Sequence, residues 1–167
     1  MTWNNEWNKW INYKELKSEL KKQRNDVAER EREDAFYKQL EFGTGGMRGE
    51  LGAGPNRMNI YSIRKVTAGL AQYIERNGIE PKRREVVIAY DSRHQSSELA
   101  LEAAKTLGMH GIYVFQELWR TPELSFAVRY HRVYASIILQ QATENRSEKR
   151  VQEIQANVMS AVYNKKA

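Results

Sequence analysis

Val86-Val87-Ile88-Ala89-Tyr90 is a continuous apolar run of strand length, and it narrows the fold more than any other stretch of the chain. A strand with one wet face alternates apolar and polar residues. A strand without that alternation is buried on both faces, as in parallel sheets covered by helices. Ile112-Tyr113-Val114-Phe115 and Ala135-Ser136-Ile137-Ile138-Leu139 read as two further strands. Helical patterns separate the three. One runs from about Ser97 to Leu107, carries Ala100, Ala103, Ala104 and Leu107, and is broken by Gly108 and Gly111. The other opens at Thr121-Pro122, with Thr121 as N-cap and Pro122 at the first helical position. Its Leu124, Ala127 and Val128 face inward. The order strand, helix, strand, helix, strand predicts an α/β fold, a three-layer α/β/α domain with a mostly parallel sheet, by the right-handed crossover rule.

An N-terminal helical extension precedes this unit. Residues 3 to 32 read as helix, with Trp3, Trp7, Trp10 and Ile11 at helical spacing, followed by Leu16 and Leu20. The tryptophan stripe is either packing against the domain or a partner-binding face. A helix from about Ser62 to Asn77, with Ser62 as N-cap, carries Ile63, Val66, Leu70, Tyr73 and Ile74 on one face. From Ser147 to Tyr163 a last helix is expected, since Val151, Ile154, Val158 and Val162 are amphipathically spaced. The resulting division is a helical extension over 1–40, the α/β/α domain over 41–145, and a helical or disordered tail over 146–167.

The chain has 167 residues, room for about one domain. Its net charge of +6 is spread along the chain and interleaved with acids, without a basic stripe set with aromatics. Nucleic acid is therefore not expected as a partner. No apolar run reaches the length of a membrane span, and the first residues lack the layout of a signal peptide. There is no cysteine, hence no disulfide or thiolate metal site. A cytoplasmic protein without membrane partners is the expectation.

Two stretches carry candidate chemistry. Phe42-Gly43-Thr44-Gly45-Gly46-Met47-Arg48-Gly49-Glu50 holds four glycines and an arginine. It is either an ordinary glycine-rich turn or a loop whose backbone N–H groups cradle an anion. In the second case Arg48 adds a fork of donors suited to phosphate. Asp91-Ser92-Arg93-His94 sits where the first buried strand ends, the edge at which open α/β sheets bind ligands. Arg93 is there a phosphate contact or an ion-pair partner of Asp91. His94 is too isolated for a metal ligand. His110 and His131 read as surface or helix-end residues.

The wording of these stretches, Leu40 to Glu50 together with Asn56-Arg57-Met58-Asn59, Ile88 to His94 and Thr121 to Ala127, resembles the first of four domains of the α-D-phosphohexomutases, the phosphoglucomutase and phosphomannomutase family. The resemblance implies a reaction of carbohydrate metabolism. A phosphoserine donates its phosphoryl group to a hexose phosphate, glucose 1-phosphate becoming glucose 6-phosphate through glucose 1,6-bisphosphate, with magnesium offsetting charge. It further implies that Thr44, Gly45, Arg48 and Arg93 face phosphate, with Asp91 and His94 in support. The magnesium loop of the family belongs to its second domain, so no metal or other cofactor is expected in this chain.

The same resemblance exposes a departure. The family's serine follows the strand that here ends at Leu139, in a Thr-Ala-Ser-His-Asn-Pro loop. Aligned there, Gln140-Gln141-Ala142-Thr143 puts Ala142 in the nucleophile's place. Alanine has no oxygen to phosphorylate. Ser136 lies within the strand and Ser147 lies past the loop, so neither substitutes. Ile-Ile-Val-Thr-Ala-Ser-His can be encoded ATT ATT GTT ACA GCA AGC CAC. Deleting the G of GTT gives Ile-Ile-Leu-Gln-Gln-Ala-Thr, which is residues 137 to 143 of this chain. One expectation is thus a truncated, frameshifted phosphohexomutase domain, inactive alone. The alternative is a non-catalytic module that holds a hexose phosphate weakly. Either form can self-associate or pair with a mutase through surface that the family's later domains normally cover.

Overall fold

The computed structural model describes residues 3–26, 28–43, 46–78, 80, 83–92, 95–117, 121–131, 133–142 and 153–160. In chain order these form α1 (Trp3–Asn12), α2 (Ser18–Asp26), α3 (Glu29–Phe36), β1 (Phe42–Gly43), β2 (Gly46–Glu50) and α4 (Ile60–Arg76). There follow β3 (Glu85–Tyr90), α5 (Ser96–Met109), β4 (Tyr113–Glu117), α6 (Thr121–His131), β5 (Ala135–Ala142) and β6 (Glu153–Ser160).

The three apolar runs are neighbours, with β3 between β4 and β5 and parallel to both. Residue parity along β3 explains its lack of alternation. Val86 and Ile88 pack into one core with Leu70 and Ile74 of α4 and Leu99 and Leu107 of α5. Val87 and Ala89 pack on the opposite face with Leu124 of α6 and Ile138 of β5. From β3 to β4 the chain steps one way across the sheet, and from β4 to β5 it steps back past β3. Connections of one handedness then place α5 and α6 on opposite faces, which produces the three layers.

Antiparallel strands extend the sheet beyond this parallel part, in the order β1-β2-β6-β5-β3-β4. β6 pairs with β5 on one side and β2 on the other. The helix expected over Ser147 to Tyr163 is therefore corrected within the described part: residues 153–160 are strand. The pattern that suggested a helix was ambiguous. Ile154 and Val158, four apart, fit a strand period of two as well as a helix period of 3.6, and two flanking strands supply the backbone hydrogen bonds.

Two boundaries also differ from expectation. The cap of α4 is Asn59, not Ser62. Asn59 Oδ1 accepts from the backbone N–H of Tyr61 and Ser62 at 3.0 and 3.1 Å. Ser62 Oγ accepts in return from Asn59 N–H at 2.8 Å, a reciprocal capping box. The helical run over residues 3 to 32 is broken into α1, α2 and the start of α3. Between α1 and α2 the chain turns so that Leu16 and Leu20 reach the main core. The tryptophan stripe packs on the rest of the extension, and Trp10 carries it onto the domain. Trp7 and Trp10 meet buried Phe36 edge-on at 5.0 and 5.7 Å, and Trp10 meets Tyr61 at 5.7 Å.

α4 and α5 are further joined by a nearly buried charge. Glu102 accepts from Arg64 Nε and Nη2 at 2.9 and 2.6 Å and from Lys105 Nζ at 3.1 Å. Burial alone would push its carboxyl up, but hydrogen bonds and charge from Arg64 and Lys105 outweigh burial and hold it below the ordinary glutamate value of 4.5. A carboxyl depressed in the folded state contributes stability above its unfolded value, and that contribution is lost as pH falls through the folded value. In urea titrations, the wild-type midpoint should fall with pH below about 4.5 more steeply than that of Glu102→Gln. Parallel curves would remove Glu102 from the acid response.

Candidate active-site edge

The C-terminal ends of β3 and β5 lie side by side at the centre of the sheet. In open α/β sheets, ligands bind at this edge of the strands. Tyr90 pairs with Leu139, and the next residue, Asp91, donates its backbone N–H to the Leu139 carbonyl at 3.2 Å. Asp91 and Ser92 therefore begin their loop directly beside Gln140.

The antiparallel strands bring the Arg48–Glu50 end of the glycine-rich stretch level with the same edge. Phe42 pairs with Met47 and Gly43 with Gly46, so the stretch is a tight hairpin. Thr44 and Gly45 lie outside the described residues, as do Arg93 and His94. Met47 turns into the main core, and alternation leaves Arg48 exposed on the opposite face. Arg48 pairs with Gln155 of β6, which pairs with Gln140 of β5. These three residues thus share one row across the sheet, and that row ends next to Asp91. At a strand spacing of nearly 5 Å, the Cα atoms of Arg48 and Gln140 are about 10 Å apart. The row joins two of the expected positions, Arg48 and Asp91, across β5 and β6.

Ala142, at the place expected for the nucleophile, is the last residue of β5. It pairs with Glu153, which pairs with Glu50. Ser136 is 1% exposed and its Oγ has no hydrogen-bond partner. A hydroxyl so enclosed cannot meet a sugar. Ser147 lies outside the described residues. His110 ends α5, its Nδ1 3.0 Å from Glu75 Oε1, and His131 ends α6.

A protein-family model described as phosphoglucomutase/phosphomannomutase, alpha/beta/alpha domain I, matches residues 39–157. The chain belongs to the phosphoglucomutase/phosphomannomutase family. The matched part includes the hairpin, the ends of β3 and β5, and most of β6. The phosphoglucomutase of Staphylococcus haemolyticus (strain JCSC1435) is 41% identical over 109 residues, covering 64% of this chain and 19% of the relative. That of Staphylococcus epidermidis is 37% identical over 134 residues, covering 79% of this chain and 24% of the relative. The chain thus spans about a fifth to a quarter of the length of these curated relatives. A Thermus thermophilus protein named as a phosphomannomutase shares the fold, with a TM-score of 0.60 at 22% identity over 74% of this chain and 26% of that one.

Among the described residues no group of three or more His, Asp or Glu side chains converges as a metal site. Among the same residues no helix is long and apolar enough to cross a membrane. Gln140 and Gln155 are the additions that sequence reasoning missed. Nothing in periodicity marks them, because their place beside Arg48 depends on residues 153–160 being a strand.

Proposed function

We propose that this chain is a cytoplasmic first domain of a phosphohexomutase without the phosphoserine, which holds hexose phosphate without exchanging its phosphoryl group. The observation that carries this reading is Ala142 at the end of β5. Transfer in the family requires a protein oxygen that bears the phosphoryl group, releases it to a sugar hydroxyl and takes the other one back. A methyl group can do none of this. Arg48, exposed in the row that ends beside Asp91, supports retention of an anion-holding edge. Loss of one nucleotide near codon 139 accounts for the altered strand end. The gene's sequence checks it: another frame reading Thr-Ala-Ser-His-Asn-Pro supports the shift, and its absence removes it.

The test of function is a coupled assay of glucose 1-phosphate conversion with glucose 1,6-bisphosphate and magnesium supplied. The expected result is no glucose 6-phosphate above the buffer rate. Isomerisation well above that rate would overturn the reading of Ala142. Calorimetric titration with glucose 1-phosphate should show weak binding that falls roughly tenfold in Arg48→Ala, the worth of one charge-assisted hydrogen bond. Equal affinity in the variant would remove Arg48 from the phosphate edge.

A further inference from the structure

A cavity of about 350 Å³ lies where the N-terminal helices meet the domain, within the size range of small-ligand sites. Trp10 of α1, Leu40 and Met47 from around the hairpin, and Tyr61 and Val66 of α4 form its apolar walls. Apolar walls of this kind release water when an apolar body covers them, so an apolar occupant is favoured. Asn59 and Ser62, two of the polar groups at the cavity, are already committed. Asn59 Nδ2 donates to the carbonyls of Gly52, Gly54 and Arg57, and its Oδ1 caps α4. Ser62 Oγ is engaged with Asn59. These walls suit a hydroxyl-rich sugar poorly.

The charge at the cavity has a sign. Glu6 is met by Lys9 at 2.5 Å. Lys65, exposed on α4, donates to the amide oxygen of Gln39, a neutral group, and among the described residues no carboxylate pairs with it. An uncompensated ammonium thus stands at an aromatic-walled pocket. We propose that this cavity binds a small aromatic anion, its flat apolar body between Trp10, Tyr61 and Val66 and its carboxylate or sulfonate at Lys65. This site is separate from the sheet edge that holds Arg48, and it stands whether or not hexose phosphate binds there.

The probe is 1-anilinonaphthalene-8-sulfonate, titrated into the full chain while dye fluorescence and energy transfer from tryptophan are read. One saturable site per chain is expected. Lys65→Ala, a surface change, should weaken the dye about fivefold, as suits one partly exposed ion pair. The neutral analogue N-phenyl-1-naphthylamine should bind both forms alike. Val66→Trp, which fills the cavity, should remove the site while helix content and melting are retained. Should that variant fail to fold, the comparison of charged and neutral dyes on Lys65→Ala decides. Several dyes per chain, equal loss of both dyes in Lys65→Ala, unchanged affinity for the charged dye in that variant, or full binding to folded Val66→Trp would each overturn the proposal.

Discussion

Phe36→Ala is expected to destabilise the chain by about 3–5 kcal/mol in urea unfolding, the usual cost of emptying an aromatic site in a packed core. Phe36 is fully buried at the end of α3. Its ring receives Trp7 and Trp10 edge-on, and Trp10 continues the series to Tyr61 of α4. Truncation therefore removes more than one side chain's burial, because it takes away the surface on which α1 docks. Tryptophan emission should shift to the red in the folded variant as Trp7 and Trp10 gain water. Tyr13 is the contrast. It meets Tyr61 at 5.8 Å but is 45% exposed, and Tyr13→Ala should cost about 1 kcal/mol or less. A loss below about 1 kcal/mol for Phe36→Ala itself would mean that α1 to α3 are not docked in solution.

Gly54→Ala should be comparably damaging, at about 3 kcal/mol, for a reason rooted in the backbone. Gly54 has φ +127°, a conformation that side chains rarely adopt. A Cβ there would also lie 2.5 Å from the Ala35 carbonyl oxygen. That oxygen cannot retreat freely, because it accepts from Asn56 N–H at 3.0 Å and so ties the turn to α3. The Gly54 carbonyl is held in turn by Asn59 Nδ2 at 2.9 Å. Strain at Gly54 thus reaches the cap of α4. Gly69→Ala is the internal control. It lies within α4, and no heavy atom comes within 4 Å of a Cβ built there. That variant should be more stable by about 0.5–1 kcal/mol from helix propensity. Thermal melts of the two variants should therefore move in opposite directions. If Gly54→Ala melts within a degree or two of wild type, the close approach of the turn to α3 is wrong.

The parallel core was legible in the sequence because its strands are covered on both sides, so burial wrote itself as an unbroken apolar run. Val86 to Tyr90 shows this most clearly, its alternate residues serving two different cores. The breaks between α1, α2 and α3 were not legible. They are set by where Leu16, Leu20 and Phe36 find apolar partners far along the chain, and local helix preference says nothing about that. Residues 153–160 disguise their strand because a four-residue spacing satisfies both periods, and only the neighbouring strands decide between them. The candidate site divides along the same line. Arg48 and Asp91 could be placed singly from a turn and a strand end. Their common row could not, since it runs through Gln155 and Gln140 and depends on the strand that the pattern hid.

β6 has one more consequence, and it concerns the order in which the molecule can form. It is the only described strand that joins the N-terminal hairpin to the parallel sheet. Arg48 and Gln155 face each other in the fold but are separated by roughly a hundred residues of sequence. On a ribosome the hairpin emerges first and waits for a neighbour made much later. β3, α5, β4, α6 and β5 can assemble meanwhile from nearby segments, while β2 keeps an open edge. Closure of so long a loop is slow, and the waiting edge is where association with other nascent chains would begin.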